Sequence, residues 1–233
     1  MVLSIQDWLP DRYFENEALN GAVAVGAWDR MRNLVRKQLM QSVETAQKVL
    51  NDDSIQDNLV RAGEITARAM KQGCKLLVCG NGGSAADCQH LVAEFVSRLT
   101  IDRPALPAIA LTTDTSILTA IGNDYSFDNI FERQVEALGR PGDVLLAIST
   151  SGNSRNCIKA LELARRSGVH TISFTGNDGG AMARISDISV IVPSTVTMNI
   201  QESHLALEHI FCMVVERCYF GPDFDRKPRH LAE

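Results

Sequence analysis

The sequence lacks the features that mark disulfide-bonded, membrane-spanning or nucleic-acid-binding chains. Its six cysteines show no C-x-x-C spacing and lie mostly inside apolar runs, which is typical of buried, reduced thiols. No run of Lys or Arg is present, and 23 basic against 28 acidic residues leave a formal net charge of −5. A basic surface for a polyanion is therefore not expected. We predict a cytoplasmic protein without disulfides, and neither a nucleic acid nor a membrane as its partner.

Long apolar runs and a basic leader are also missing near the N-terminus. The first ten residues, MVLSIQDWLP, carry no basic segment, and the apolar patch at residues 22–28 is too short to span a bilayer. The chain has 233 residues, 45% of them hydrophobic, enough to bury one full core. We predict an N-terminal arm at residues 1–30, a single domain at residues 31–220 and a polar tail at residues 221–233.

What the chain does have is an alternation of helical and strand-like segments. Apolar residues at a spacing of three to four predict helices at 31–50 and, after the N-cap cluster NDDS, at 55–73. Short, continuous apolar runs predict buried parallel strands at residues 75–80, 107–112, 143–149, 170–176 and 188–194. The pattern indicates an α/β fold, in which helices cover both faces of a mostly parallel sheet of about five strands. Its parts are N-terminal helices 31–72, an α/β core 73–195 and a C-terminal helix 199–219.

Three of the predicted strands end in loops suited to a phosphate group. Ligands of parallel α/β sheets gather at the carboxyl ends of strands, where helix N-termini favour anions. The loops are Asn81, Gly82, Gly83 and Ser84; STSGNS at residues 149–154; and TGNDGG at residues 175–180. Ser84 and Asp87 also match a helix capping box, which would explain this serine without a ligand.

The loop STSGNS is the most informative of the three. It places the hydroxyls of Ser149, Thr150, Ser151 and Ser154 around Gly152, directly before a helical stretch. Hydroxyl donors and a helix N-terminus can bind a phosphate dianion without a lysine. An ordinary serine-rich turn between a strand and a helix has the same composition. Neither G-x-x-x-x-G-K-[ST] nor G-x-G-x-x-G occurs, so a P-loop and a dinucleotide fingerprint are excluded.

One pair of chemically active side chains lies on the predicted helix after the first loop. His90 and Glu94 are four residues apart there, about 6 Å at Cβ, and are neighbours on the helix surface. This spacing suits two ligands of one metal ion, or a base and its partner. A solvated polar stripe has the same spacing.

A second histidine cluster occurs in NIQESHLALEHIFC, residues 199–212. Helical geometry alone would pair His204 with Glu208, four residues on, or Glu202 with His209, seven residues on. Periodicity does not choose between these pairs.

The motifs CGNGGSAADCQH, ALTTDTSILTAIGND, VLLAISTSGNS, TGNDGG and IQESHLALEHI occur in this order. In this combination the sequence resembles the sedoheptulose 7-phosphate isomerases, or phosphoheptose isomerases, within the SIS (sugar isomerase) family, over residues 31–220. The resemblance implies a three-layer αβα SIS fold, a homotetramer with active sites near subunit interfaces, and a bound Zn²⁺. It also implies conversion of D-sedoheptulose 7-phosphate to D-glycero-D-manno-heptose 7-phosphate through an enediol. That reaction is the first step toward the ADP-heptose of lipopolysaccharide and other surface glycans.

The resemblance further implies roles for individual residues. The implied substrate-binding residues are Asn81, Gly82, Gly83, Glu94, Asn123, Asp124, Ser149, Thr150, Ser151, Ser154 and Gln201. The implied zinc ligands are His90, Glu94, Gln201 and His209, of which Glu94 and His209 also act as acid and base. Eight helical residues rise about 12 Å. Gln201 and His209 can therefore bind one ion only if Gln201 lies at or before the helix start, or if partner subunits contribute.

Other proteins of the SIS family have different functions. Some are non-catalytic, such as the bacterial factor that binds the replication initiator DnaA, and others isomerise or sense different sugar phosphates. The non-catalytic proteins resemble the isomerases in the loops but lack the full glutamate and histidine set. His90, Glu94, Gln201 and His209 are all present here, which favours an enzyme.

Overall fold

The structure is a computed structural model that describes the backbone of residues 22–221 and the side chains of residues 27–221. Its helices and strands follow in chain order: α1 Ala22–Leu50, α2 Asp53–Lys71, β1 Leu76–Gly80, α3 Gly83–Val96, β2 Ala108–Ala110, α4 Thr115–Asp124, α5 Glu132–Leu138, β3 Val144–Ser149, α6 Arg155–Arg166, β4 His170–Gly176, α7 Gly180–Ile185, β5 Ile188–Val192 and α8 Thr197–Phe220. A short 3₁₀ turn, Phe127–Asn129, separates α4 from α5.

The five strands form one parallel sheet in the order β2-β1-β3-β4-β5. The chain leaves β1 toward β2 on one side and then returns to β3 on the other. The strand order therefore reverses between β1 and β3, and ligands of such sheets bind outside the carboxyl ends at this point. The loops that follow β1 and β3 are the two that carry Asn81 and STSGNS. The predicted parallel α/β fold of about five strands is confirmed.

The strand sequences explain why helices cover both faces of the sheet. Every residue of β1 and of β3 is buried. Successive side chains of a strand point to opposite faces, so Leu76 and Val78 enter the core beneath α2, α3 and α8. Leu77 and Cys79 enter a second core beneath α5, α6 and α7. The result is three layers in the order αβα.

Capping residues were predicted at the starts of two helices, α2 and α3. The prediction for α2 is confirmed, since the carboxylate of Asp52 accepts hydrogen bonds from the N–H groups of Ser54 and Ile55 at 3.0 and 3.4 Å. The prediction for Ser84 is wrong. The N-cap of α3 is Gly82, and Ser84 is buried inside the first turn of the helix. A positive φ of 57° at Gly82 turns the chain into the helix two residues earlier than the capping box would.

Helix α1 begins earlier than its periodicity indicated. It starts at Ala22, whereas the arm was predicted to end at residue 30. Small and apolar residues fill positions 22–27, so no polar face marks this first part as a helix. Residues 1–21 of the predicted arm and residues 222–233 of the predicted tail lie outside the described part of the chain.

The described chain divides into two compact units, one up to Val43 and one from Glu44 onward. In the first unit, one stripe of α1 carries large apolar side chains that are each more than half exposed. They are Trp28, Met31, Leu34, Val35, Leu39 and Val43. From α1 to α8, no described helix is both long and apolar enough to cross a bilayer.

Candidate active site

The serine-rich loop after β3 gathers three hydroxyl groups at the start of α6. The Oγ of Ser149 lies 2.9 Å from the Oγ of Ser154 and 3.4 Å from the Oγ of Ser151. Ser154 is the N-cap residue of α6, yet its side chain makes no capping hydrogen bond to the helix. Its hydroxyl therefore faces the other serines. The arrangement presents several small donors beside the positive end of a helix dipole, as an anion site requires.

The third loop, TGNDGG, packs directly on the serine-rich loop. Gly152 has a φ of +63°, and a Cβ added there would lie 2.1 Å from the carbonyl oxygen of Gly179. The N–H of Met182 donates to the Gly152 carbonyl at 2.9 Å, and the N–H of Ala181 donates to Oδ1 of Asn153 at 3.0 Å. These contacts fix the conformation of the serine-rich loop, so the role of TGNDGG is to stabilise that loop.

The first loop is also tied to α6, through a residue that the sequence did not single out. Nδ2 of Asn81 donates to Oδ1 of Asn156 at 2.9 Å, and Nδ2 of Asn156 donates back to Oδ1 of Asn81 at 2.8 Å. Asn156 is the second residue of α6 and is 2% exposed. The loops that follow β1 and β3 are thus joined by a reciprocal pair of amide hydrogen bonds.

A cluster of two histidines and a glutamate lies where α3 and α8 face each other. Nε2 of His90 is 2.7 Å from Nε2 of His209 and 3.7 Å from Oε1 of Glu94. One ligand atom from each of these three side chains lies within 4.8 Å of the others. Two imidazoles and a carboxylate are a donor set that zinc uses in catalytic sites, where a fourth position stays open. The donors and their separations therefore fit a divalent metal ion.

Helix α3 is held at its C-terminal end by a second residue that sequence reasoning missed. The guanidinium of Arg103 donates to the carbonyl oxygen of Glu94 at 2.6 Å and to that of Phe95 at 2.7 Å. The same guanidinium binds Oε1 of Glu216 at 2.6 Å, and both side chains are almost fully buried. Arg103 thereby fixes the backbone that carries Glu94 against α8.

Gln201 lies at the other end of α3. A Cβ added to Gly83 would stand 1.6 Å from Nε2 of Gln201, so the missing side chain of Gly83 makes room for this carboxamide. Gln201 also lies beside Asp87. Burial raises the pKa of Asp87, which the charge of His90 and the neighbouring carboxamide of Gln201 partly offset. Gln201 is the fifth residue of α8, so it does not lie at or before the helix start, the first of the two arrangements considered above.

The other pair in the α8 motif points into the protein. His204 and Glu208 are fully buried, and Nε2 of His204 contacts the carbonyl oxygen of Thr175 at 3.0 Å. Burial lowers the pKa of His204 to about 4 and raises the pKa of Glu208 to about 9, with the Asp87 charge adding to the latter. Glu202 is exposed. Of the histidines in the motif, His209 is the one that the structure brings to His90 and Glu94.

Asn123 and Asp124 end α4. Both are exposed, and Nδ2 of Asn123 donates to Oδ1 of Asp124 at 2.8 Å.

The all-parallel αβα domain, with a hydroxyl-rich loop at the switch point of its sheet, agrees with the class of sugar-isomerase domains. The family model described as SIS domain matches residues 38–176. A phosphoheptose isomerase of Clostridium acetobutylicum is 51% identical over 195 residues, which cover 84% of this chain and 100% of that protein. One from Akkermansia muciniphila is 47% identical over 82% of this chain and 100% of its own length.

A solved structure agrees with these relatives. That of phosphoheptose isomerase GmhA from Neisseria gonorrhoeae has 43% sequence identity and a TM-score of 0.75, and the match covers 80% of this chain and 98% of that chain. The chain belongs to the phosphoheptose isomerase family.

Proposed function

We propose that this chain is an aldose–ketose isomerase that converts D-sedoheptulose 7-phosphate into D-glycero-D-manno-heptose 7-phosphate. The observation that carries the proposal is the cluster of His90, Glu94 and His209 on facing helices, in a chain whose strand-end loops suit a phosphate. The product would enter the route to ADP-heptose, the precursor of lipopolysaccharide and other surface glycans. The six free cysteines support a reducing compartment, the cytoplasm, as its place of action.

The phosphate group of the substrate is the part that the serine loop would bind. Ser149, Thr150, Ser151 and Ser154 supply the hydroxyl donors, and the N-terminus of α6 supplies the positive end of its dipole. A phosphate held there lies far from C1 and C2 of the sugar, so its binding energy serves to position the reacting carbons. The backbone of Asn81, Gly82 and Gly83, together with Asn123 and Asp124, would contact the remainder of the sugar.

Each half of the reaction, from ketose to enediol and from enediol to aldose, requires one proton transfer at carbon and one at oxygen. In the direction from ketose to aldose, Glu94 takes the proton from C1 while His209 gives a proton to the C2 carbonyl oxygen. Glu94 then delivers the proton to C2 of the enediol as the C1 hydroxyl returns one to His209. The carboxylate and the imidazole end the cycle in the protonation states in which they began it.

His90, Glu94 and His209, together with Gln201, would hold the metal ion, which we propose is Zn²⁺. Bound there, the ion supplies positive charge that stabilises negative charge developing on the substrate oxygens. A carboxylate has two oxygens, so Glu94 can bind a cation with one and accept a proton with the other. The carboxamide of Gln201 lies beside Gly83 and Asp87, on the N-terminal side of His90 along α3.

We further propose that the protein assembles as a homotetramer with its active sites near subunit interfaces. The exposed apolar stripe of α1 supports this, because large apolar patches mark interaction surfaces. A second supporting feature is an apolar groove of about 450 Å³, lined by Val49, Leu59, Ala206, Ile210 and their neighbours. Light scattering on the purified protein tests the assembly, and a monomer at micromolar concentration would refute it.

The decisive experiment is a turnover assay with sedoheptulose 7-phosphate. We expect activity in the purified protein, loss of activity after treatment with a chelator, and recovery on addition of Zn²⁺. A hexose 6-phosphate serves as the control substrate and is expected to react much more slowly. Absence of turnover in the metal-replete protein would overturn the proposal and favour a non-catalytic scaffold.

A further inference from the structure

The pair formed by Asn81 and Asn156 links two loops that are 75 residues apart in the chain. Each carboxamide donates one hydrogen bond to the other and accepts one from it, at 2.9 and 2.8 Å. Asn156 is 2% exposed and Asn81 is partly buried. Paired amides of this kind are costly to separate when buried, because each would leave polar atoms without partners.

A third hydrogen bond fixes which way both amides point. The backbone N–H of Cys157 donates to Oδ1 of Asn156 at 2.9 Å. A backbone N–H can only donate, so the oxygen of Asn156, and not its nitrogen, must face Cys157. The reciprocal bonds then require Nδ2 of Asn81 to face that oxygen. The orientation of the pair therefore follows from a group whose role is unambiguous.

The same bond changes how the start of α6 is completed. The N–H of Cys157 is one of the first-turn donors that lack a partner inside the helix. Asn156 satisfies it, whereas the N-cap residue Ser154 makes no side-chain bond to the helix. The hydroxyl of Ser154 is thus left for Ser149, at 2.9 Å. Asn156 both closes the helix end and leaves the serine loop its donors.

We infer that Asn156 is a positioning residue for this reaction: it holds the first loop in register with the serine loop, and the side chain of Asn81 serves this link instead of the substrate. The inference rests on the proposed function, in which the serine loop binds the substrate phosphate. Contacts from the first loop to the sugar then come from its backbone and its glycines. Breaking the link lets the two loops move apart, while His90, Glu94 and His209 stay on α3 and α8.

The test is a double-mutant cycle with Asn81→Ala, Asn156→Ala and the double variant. We expect each single variant to raise KM for sedoheptulose 7-phosphate by about 10-fold and to change kcat by less than about 3-fold, since one lost amide pair weakens positioning and leaves the chemistry in place. The double variant should be no worse than either single variant. Effects that multiply to about 100-fold, or a raised KM in Asn81→Ala with a normal KM in Asn156→Ala, would overturn the inference.

Two controls separate the link from other roles of Asn156. Asn156→Ser keeps an oxygen for the N–H of Cys157 but cannot form the reciprocal pair, so we expect the KM of Asn156→Ala. If Asn156→Ser had the wild-type KM, the only role of Asn156 would be to accept the hydrogen bond from the N–H of Cys157, and the inference would be wrong. Asn58→Ala removes a remote bond of the same kind, from Nδ2 to the carbonyl of Ser189 at 3.0 Å. It should leave KM unchanged.

Two measurements without turnover keep this inference distinct from the proposed function. The same cycle is followed by thermal unfolding and by calorimetric titration with inorganic phosphate. Coupled effects on Tm and on phosphate affinity in a protein that does not isomerise the sugar would refute the proposed function and retain the link. Independent effects in a protein that does isomerise it would refute the link alone.

Discussion

Helices α3 and α8 carry two His–Glu pairs with the same spacing and opposite surroundings. His90 and Glu94 of α3 lie at a surface shared with His209, where their side chains are 41% and 18% exposed. His204 and Glu208 of α8 are fully buried, and both carboxylate oxygens of Glu208 lack a hydrogen-bond partner. Water and ions can reach the first pair, so its groups can change protonation state or bind a cation. Burial holds the second pair in its neutral form.

The surroundings of a His–Glu pair, more than its spacing, therefore decide whether the pair can do chemistry or only stabilise the fold. Asp87 stands between the two pairs, since the charge of His90 lowers the pKa of Asp87 and the charge of Asp87 raises the pKa of Glu208. Asp87 thus separates the exposed, ionisable groups of α3 from the pair of α8 that is buried in the core. Substitutions on either side of Asp87 should therefore have effects of different kinds.

The largest effect on activity should come from Glu94→Gln and His209→Gln, in the exposed cluster. We expect kcat to fall by about 10²–10⁴-fold in each, because general acid–base groups contribute on that scale. Tm should change little, since these side chains are partly exposed. Steady-state kinetics and thermal unfolding check both points. Near-normal turnover in either variant would remove that residue from the proton transfers.

A smaller loss of activity is expected from Gly83→Ala. Its Cβ would meet Nε2 of Gln201 at 1.6 Å, and the flexible carboxamide can swing away without disturbing the backbone. We expect kcat/KM to fall by about 10-fold, with Tm within a few degrees of wild type. Gln201→Ala is the matched control and should give a similar loss. Full activity in both variants would place Gln201 outside the catalytic site.

The buried pair of His204 and Glu208 should affect how the stability of the protein depends on pH, and not its activity. The pKa of Glu208 is raised to about 9 from an ordinary value of 4.5. The folded protein therefore keeps a proton that the unfolded chain loses, and stability falls as pH rises from about 4.5 to 9. Glu208→Gln removes this dependence, so its advantage in unfolding free energy should grow by up to about 1.4 kcal/mol per pH unit in that window. Chemical denaturation at several pH values measures it. Parallel curves for the two proteins would show that Glu208 is ionised in the fold.

The smallest effect is expected from His204→Gln, which should change the stability of the protein mainly at acid pH. Burial lowers the pKa of His204 to about 4 from 6.5, so the stability associated with its neutral form is present above pH 6.5 and is lost as pH falls toward 4. A glutamine can still donate to the carbonyl of Thr175. At pH 7 the unfolding free energies of the two proteins should differ by no more than about 1 kcal/mol. Between pH 6.5 and 4 the variant should lose less stability than the wild type. Thermal unfolding between pH 4 and 7 tests this, and a kcat loss at pH 7 would place His204 in the catalysis.

Much of the fold could be predicted because buried parallel strands have a distinctive composition. The apolar runs located all five strands to within a few residues, and the order of strands followed only from the structure. The helices α4, α5 and α7 were missed, since segments of six to ten residues carry too few turns for a periodic pattern.

The site was predictable in part for a related reason. Loop composition and the His–Glu spacing were visible locally. The roles of Asn156 and Arg103 depend on partners 75 and 113 residues away, and no local pattern marks them. Spacing also could not tell the buried His204–Glu208 pair from the exposed one, because both fit the same helical period.

The fully buried ion pair of Arg103 and Glu216 has a consequence for how this sequence can vary. The guanidinium reaches the carboxylate and the carbonyl oxygens of Glu94, Phe95 and Pro104, and a lysine could not reproduce that fork. Losing either member strands a charge in the interior, a cost of about 3–5 kcal/mol. A single substitution at either position therefore removes a large part of the about 5–15 kcal/mol by which folded proteins are typically stable, so we expect the two positions to change together.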